Sequence, residues 1–88
     1  MERIRLSSGC ELELDRNALD NMELLDALID ADEGDHKASV RLIRLLLSPA
    51  ERKKLYDHLR NEQGRVPVQE IYAAVAEIFR ALNQGKNS

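Results

Sequence analysis

Cys10, His36 and His58 are the side chains of this chain best suited to metal or nucleophilic chemistry near neutral pH. Zinc sites are marked by closely spaced Cys or His pairs, and none occurs here. A Cys–His nucleophilic pair has no supporting feature either. The segment Asp30-Ala31-Asp32-Glu33-Gly34-Asp35 has the look of a calcium loop. Such a loop needs oxygen ligands at positions 1, 3 and 5, Gly at 6 and a bidentate Glu at 12. Counted from Asp30, the glycine falls at the fifth place and Arg41 at the twelfth, so the segment reads as a polar connection. The glycines at 9, 34, 64 and 85 are scattered and build no phosphate cradle. We assign no catalytic, metal or cofactor-binding residue.

Charge is the next chemical resource. The 88 residues carry a net charge of −3, unevenly distributed. Residues 1–35 hold eleven acids and three bases; residues 36–88 hold five acids and ten bases. The stretch Asp20–Asp35 has seven carboxylates and no base. We expect intramolecular complementarity plus a solvated face, with an acidic patch for a basic partner or for the basic face of a second copy as the sharper alternative. Arg41, Arg44, Arg52, Lys53, Lys54, Arg60 and Arg65 raise a helix-turn-helix alternative. The negative net charge and the lack of interleaved aromatics argue against nucleic-acid binding.

Behind these residues stand elements that must position them. Ile4, Leu6, Leu12 and Leu14 alternate with Arg3, Arg5, Glu11 and Glu13, the period-2 pattern of a half-buried hairpin. Pairing Arg5 with Glu11 and Arg3 with Glu13 sets Ile4 opposite Leu12. It leaves a Ser7-Ser8-Gly9 loop and puts Cys10 on the apolar face, as an inert thiol. A first helix is expected after Asp20, which has capping-box spacing to Glu23, with Met22, Leu25, Leu28 and Ile29 as its stripe. Glu33-Gly34-Asp35 stops it, and Asp35 caps a second helix ending at Leu47.

That second helix holds Val40-Arg41-Leu42-Ile43-Arg44-Leu45-Leu46-Leu47. Its six aliphatic residues sweep about 220° of the helix surface, where a stripe of about 100° normally suffices. It is therefore either wrapped by neighbours or shared with another chain. We expect mostly the former, with one side incompletely covered where Leu45 or Leu46 emerges. Leu42, Leu45, Leu46, Arg41 and Arg44 are the candidate partner-binding residues. Ser48-Pro49-Ala50-Glu51 starts a third helix that runs to about Arg60 with Leu55, Tyr56 and Leu59 inward. A fourth begins near Pro67 and carries Val68, Ile71, Tyr72, Val75, Ile78, Phe79 and Leu82 at helical spacing. The expected fold is mainly α: an N-terminal β-hairpin (2–14) and a compact bundle of four short helices (20–83). It forms a single domain over 1–85 with a disordered tail at 86–88.

The core must be aliphatic, since only Tyr56, Tyr72 and Phe79 are aromatic. A lone cysteine fits a reducing compartment. No apolar run reaches the length of a membrane span, and the opening Met1-Glu2-Arg3-Ile4-Arg5 lacks a signal-peptide core. These features point to the cytoplasm.

The order of short motifs adds a resemblance. Asn21-Met22-Glu23-Leu24-Leu25-Asp26-Ala27-Leu28 precedes Glu33-Gly34-Asp35 and the leucine-rich helix. Leu55-Tyr56-Asp57-His58-Leu59-Arg60, Gly64-Arg65-Val66-Pro67-Val68, Ile78-Phe79-Arg80-Ala81-Leu82 and a Lys-Asn-Ser end follow. Over residues 12–88 the chain resembles the small tail assembly chaperones of long-tailed siphophages and their prophages. The resemblance implies a helical, non-enzymatic cytoplasmic protein that binds the phage tape measure protein. It would keep that protein soluble and extended while tail tube protein assembles around it. A frameshifted longer form of the chain is also implied. It carries over no binding residue. The alternatives from other classes are the nucleic-acid-binding regulator and a self-associating helical module using Val68, Ile71, Val75, Ile78 and Leu82, a homo-oligomer.

Overall fold

In a computed structural model, which describes residues 1–84, the chain runs from a hairpin into four helices. Strands β1 (Glu2–Arg5) and β2 (Glu11–Leu14) pair antiparallel, with Arg5 opposite Glu11, Ile4 opposite Leu12 and Arg3 opposite Glu13. This is the expected register. The Ser7-Ser8-Gly9 turn closes through Gly9 N–H to Leu6 C=O and Leu6 N–H to Cys10 C=O, both at 2.9 Å, with Gly9 at φ +95°. Only glycine takes that conformation cheaply. Helices α1 (Met22–Asp32), α2 (His36–Leu46), α3 (Pro49–Leu59) and α4 (Val68–Gln84) follow. The expected stop at Gly85 and the tail at 86–88 lie outside the described residues.

Local chemistry explains the boundaries. Asp35 Oδ1 accepts from the Lys37 and Ala38 amides at 3.0 and 3.4 Å and so starts α2. Ser48 Oγ accepts from the Glu51 amide at 3.3 Å, with Pro49 at the first helical position of α3. Gly34, at φ +101°, ends α1 in a Schellman motif: Gly34 N–H bonds Ala31 C=O and Asp35 N–H bonds Asp30 C=O. The start of α1 corrects the sequence expectation by one residue. A short 3-10 helix, Arg16–Leu19, capped by Asp15, intervenes, and the Asp20 amide closes it onto Asn17. Asp20 is thus spent on that turn, and Asn21 Oδ1 caps α1 through the Glu23 amide at 3.0 Å.

The core is aliphatic, with Leu12, Leu47, Leu55, Ile78 and Leu82 the largest fully buried side chains. Leu42, Ile43, Leu46 and Leu47 of the α2 region all lie in it. A second correction concerns α1. Its core face is Leu24 and Ala27, with Leu28 packed alongside, whereas Met22, Leu25 and Ile29 stand 64%, 44% and 49% exposed. The helix has two apolar stripes, and α2 packs against the one that also carries Ala27, where backbones approach most closely.

Several polar contacts hold the hairpin on the bundle. Glu51 Oε1 accepts from the Glu13 amide at 2.6 Å. Glu77 accepts from the Ser7 amide and hydroxyl at 2.9 and 2.8 Å. Arg16 donates to the Leu82 carbonyl of α4 at 2.6 Å and to Glu2 at 2.7 Å. A lone hairpin is marginal in water, and these links with the burial of Leu6, Cys10, Leu12 and Leu14 make it part of the fold.

Candidate functional site

Of the residues with metal or nucleophilic chemistry, His36 opens α2, whereas His58 of α3 meets the Ser8-Gly9 turn that precedes Cys10. Cys10 is 2% exposed, and burial raises its thiol pKa. His58 Nε2 lies 3.0 Å from the Ser8 carbonyl, and His36 Nδ1 lies 3.4 Å from the Tyr72 hydroxyl. Among the described residues, no group of three metal-ligating side chains converges. The basic residues are partly spent: Lys53 and Arg60 both hold Asp57, and Lys54 holds Glu51.

What the fold does build is a groove. Three hollows adjoin along one face of α4. The first, about 610 Å³, lies between α2, α3 and the start of α4, with Val40, Ile43, Tyr56, Val68, Ile71 and Tyr72 on its walls. The second, about 290 Å³, shares Ser39 and Tyr72 with the first and adds Leu28, Leu42, Val75 and Phe79. The third, about 410 Å³, shares Leu28 and Phe79 with the second and adds Leu19, Met22, Leu25 and Asn83. On α4 the lining positions Val68, Tyr72, Val75, Ala76, Phe79 and Asn83 fall on one stripe at helical spacing. From Val68 to Asn83 that stripe is about 23 Å long at the helical rise per residue.

The lining of the groove is mostly apolar, with His36, Arg60, Asp32, Asp20 and Asn83 among its polar members. Met22, Leu25, Val40 and Val68, four large apolar side chains on the exposed surface, all line it. So do all three aromatics of the chain, Tyr56, Tyr72 and Phe79, each half-buried. Half-buried aromatics are the side chains best placed to gain contact area when a partner arrives, at little conformational cost.

The expected partner residues on α2 fare differently. Leu42 and Leu46 are 5% and 4% exposed, so they are core; Leu42 meets the middle hollow only as floor. Leu45 is half-buried and lines none of the three hollows. Arg41 and Arg44 are exposed outside the groove. The uncovered position of α2 is Val40, at 46%, rather than Leu45 or Leu46. It lines the first hollow together with Val68 of α4, itself 59% exposed. The sequence signal for this was the breadth of the apolar arc on α4. Tyr72 and Phe79 sit seven residues apart, to one side of the buried stripe Ile71, Ile78 and Leu82.

Charge frames the groove asymmetrically. The six ion pairs among the described residues are Arg3–Glu13, Arg5–Glu11, Arg16–Glu2, Lys53–Asp57, Lys54–Glu51 and Arg60–Asp57. None joins the acidic 20–35 stretch to the basic part of the chain. Of the expected complementarity plus solvated face, the described residues show the solvated face: the α1 carboxylates are exposed and make no ion pair there. The chain neighbours of these carboxylates are mostly other acids, and the inward face of α1 is apolar. Asp20 and Asp32 open onto the groove at the α1 side. Among the described residues no helix is long and apolar enough to cross a membrane. Compared with protein-family models, curated proteins and solved structures, the chain finds no match.

Proposed function

We propose that this chain is a non-enzymatic tail assembly chaperone of a siphophage or prophage, acting in the bacterial cytoplasm. It binds apolar helical segments of the tape measure protein and keeps that protein soluble and extended until tail tube subunits enclose it. The observation that carries the reading is the open apolar groove along α4, rimmed by Met22, Leu25, Val40 and Val68. Its length of about 23 Å accommodates an amphipathic helix of about 15 residues. The resemblance carried by the motif order along residues 12–88 supports the tape measure protein as the guest.

The physical action is shielding. A long, largely helical guest exposes apolar stripes in water, and each stripe drives aggregation. A chaperone that covers one stripe per bound copy removes that surface while leaving the guest rod-shaped. The grip must also be reversible, because tube subunits displace it. An interface of one short helix in a shallow groove suits this, since association costs several kcal/mol before any affinity appears.

Co-expression with a siphophage tape measure protein is the direct test. The expected result is a shift of that protein into the soluble fraction and co-purification of the two chains. Unchanged solubility without co-purification overturns the reading.

A further inference from the structure

The groove is mostly apolar, and the charges around it differ along its length. Along the second and third hollows the wall is α1, which carries Glu23, Asp26, Asp30 and Asp32 and no base. Asp32 opens onto the middle hollow and Asp20 onto the far one. The other α1 carboxylates stand further round a helix about 10 Å across, within about one Debye length at physiological salt. None is neutralised by an ion pair among the described residues. The first hollow is lined by one formal charge, Arg60, which is ion-paired with Asp57, and beyond its α2 rim Lys37, Arg41 and Arg44 stand exposed and without ion pairs among the described residues. A guest lying along α4 therefore meets a negative field over one part of its length and a positive field over the other.

We infer that the occupant is an amphipathic helix with segregated charge. Its Lys and Arg residues lie in the half resting over α1, towards Phe79 and Asn83. Its Asp and Glu residues lie in the half over Val40 and Val68. This deepens the proposed function and rests on the groove being the binding site. Charge complementarity selects the segment and its direction, while the apolar floor supplies the affinity. Uniformly acidic helices are repelled by α1 and uniformly basic ones by the outer side of α2, so the groove discriminates by like-charge penalty as well as by attraction.

The test uses two synthetic 18-residue helical peptides of identical composition and net charge. Both carry the same leucine stripe. In one, the lysines fill one half and the glutamates the other; in the second they alternate along the helix. Binding to the full chain is followed by fluorescence anisotropy at about 50 mM and about 1 M salt, where the Debye length falls to about 3 Å. The expected result is a preference of about tenfold or more for the segregated peptide at low salt, shrinking to about twofold or less at high salt. In the chain carrying Asp20→Lys with Asp32→Lys, two exposed changes outside the core, the preference should also collapse. Circular dichroism checks that this variant folds. Equal binding of both peptides overturns the charge inference and leaves the groove intact as a site. Tighter binding of the alternating peptide overturns it as well. Failure of both peptides to bind, at any salt, removes the groove reading and this inference together.

Discussion

Val40 and Leu42 are two residues apart on one helix, and the structure assigns them opposite tasks. Val40 is 46% exposed on the groove rim, and Leu42 is 5% exposed in the core. The double change Val40→Asp with Val68→Asp alters only rim positions. Fully burying a valine side chain contributes about 1.5 kcal/mol, so about half of that is still unused at each site in the free chain. Removing both forfeits about 1.5 kcal/mol of binding. Sinking two carboxylates into a dry apolar contact adds at least about 1–3 kcal/mol of desolvation. The expected loss of guest affinity is therefore about 100-fold or more. The cost to folding is small, about 1 kcal/mol in total, because the lost burial is partial. Val68 also opens α4, where a carboxylate gains from the helix dipole. Leu42→Ala should instead cost about 2–5 kcal/mol of stability, as core truncations do. Urea unfolding gives the stability of each variant, and pull-down of the co-expressed tape measure protein gives the binding. A rim double variant that loses more than about 3 kcal/mol of stability would refute the assignment of these valines to a surface. Wild-type retention of the guest by that variant would falsify the groove as the binding site.

Glu51 and Glu77 hold the hairpin through backbone and hydroxyl bonds, and those bonds lower both carboxyl pKa values; for Glu51 the Glu13 amide is the largest cause, and for Glu77 the Ser7 amide. A lowered native pKa means stability present above the ordinary carboxylate range and lost as pH falls through it. Acid titration followed by hairpin amide exchange should therefore show loss of protection below about pH 4–5, and Glu51→Gln should flatten that dependence. Gly34→Ala should cost about 1–2 kcal/mol from backbone conformation alone, because φ is +101° while nothing lies within 4 Å of an added Cβ. A thermal melt unchanged by that substitution would contradict the helix stop described. Cys10 should resist thiol reagents in the native chain and react promptly in denaturant, since burial raises its pKa and hides the sulfur. Rapid native labelling would show that the hairpin opens readily.

Hairpin register, the α2 and α3 caps and the Gly34 stop were legible in the sequence because each is a local matter. Alternation set the strand pairing, and Asp35, Ser48 and Gly34 each satisfy backbone groups within a few residues of themselves. The 3-10 turn at Arg16–Leu19 was not legible, because Asp20 and Asn21 are both good caps and only the preceding turn chooses between them. The α1 face was ambiguous for a similar reason. Met22, Leu25 and Ile29 make as regular a stripe as Leu24, Ala27 and Leu28, and periodicity carries no record of which stripe meets a neighbour.

The candidate site belongs almost wholly to tertiary structure. Composition and spacing by themselves determined an aliphatic core, a hairpin with four helices, an acidic first part and a basic second part. They also determined that α2 and α4 carry more apolar surface than one contact consumes. Where the surplus emerges was decided only by packing. Leu42 and Leu46 vanish into the core while Val40, Val68 and the three aromatics are left along one side of α4. Which positions are left bare depends on the tilt and spacing of helices packed around small residues such as Ala27 and Ala38. Those distances are set by side chains far apart in the chain, and no local pattern encodes them.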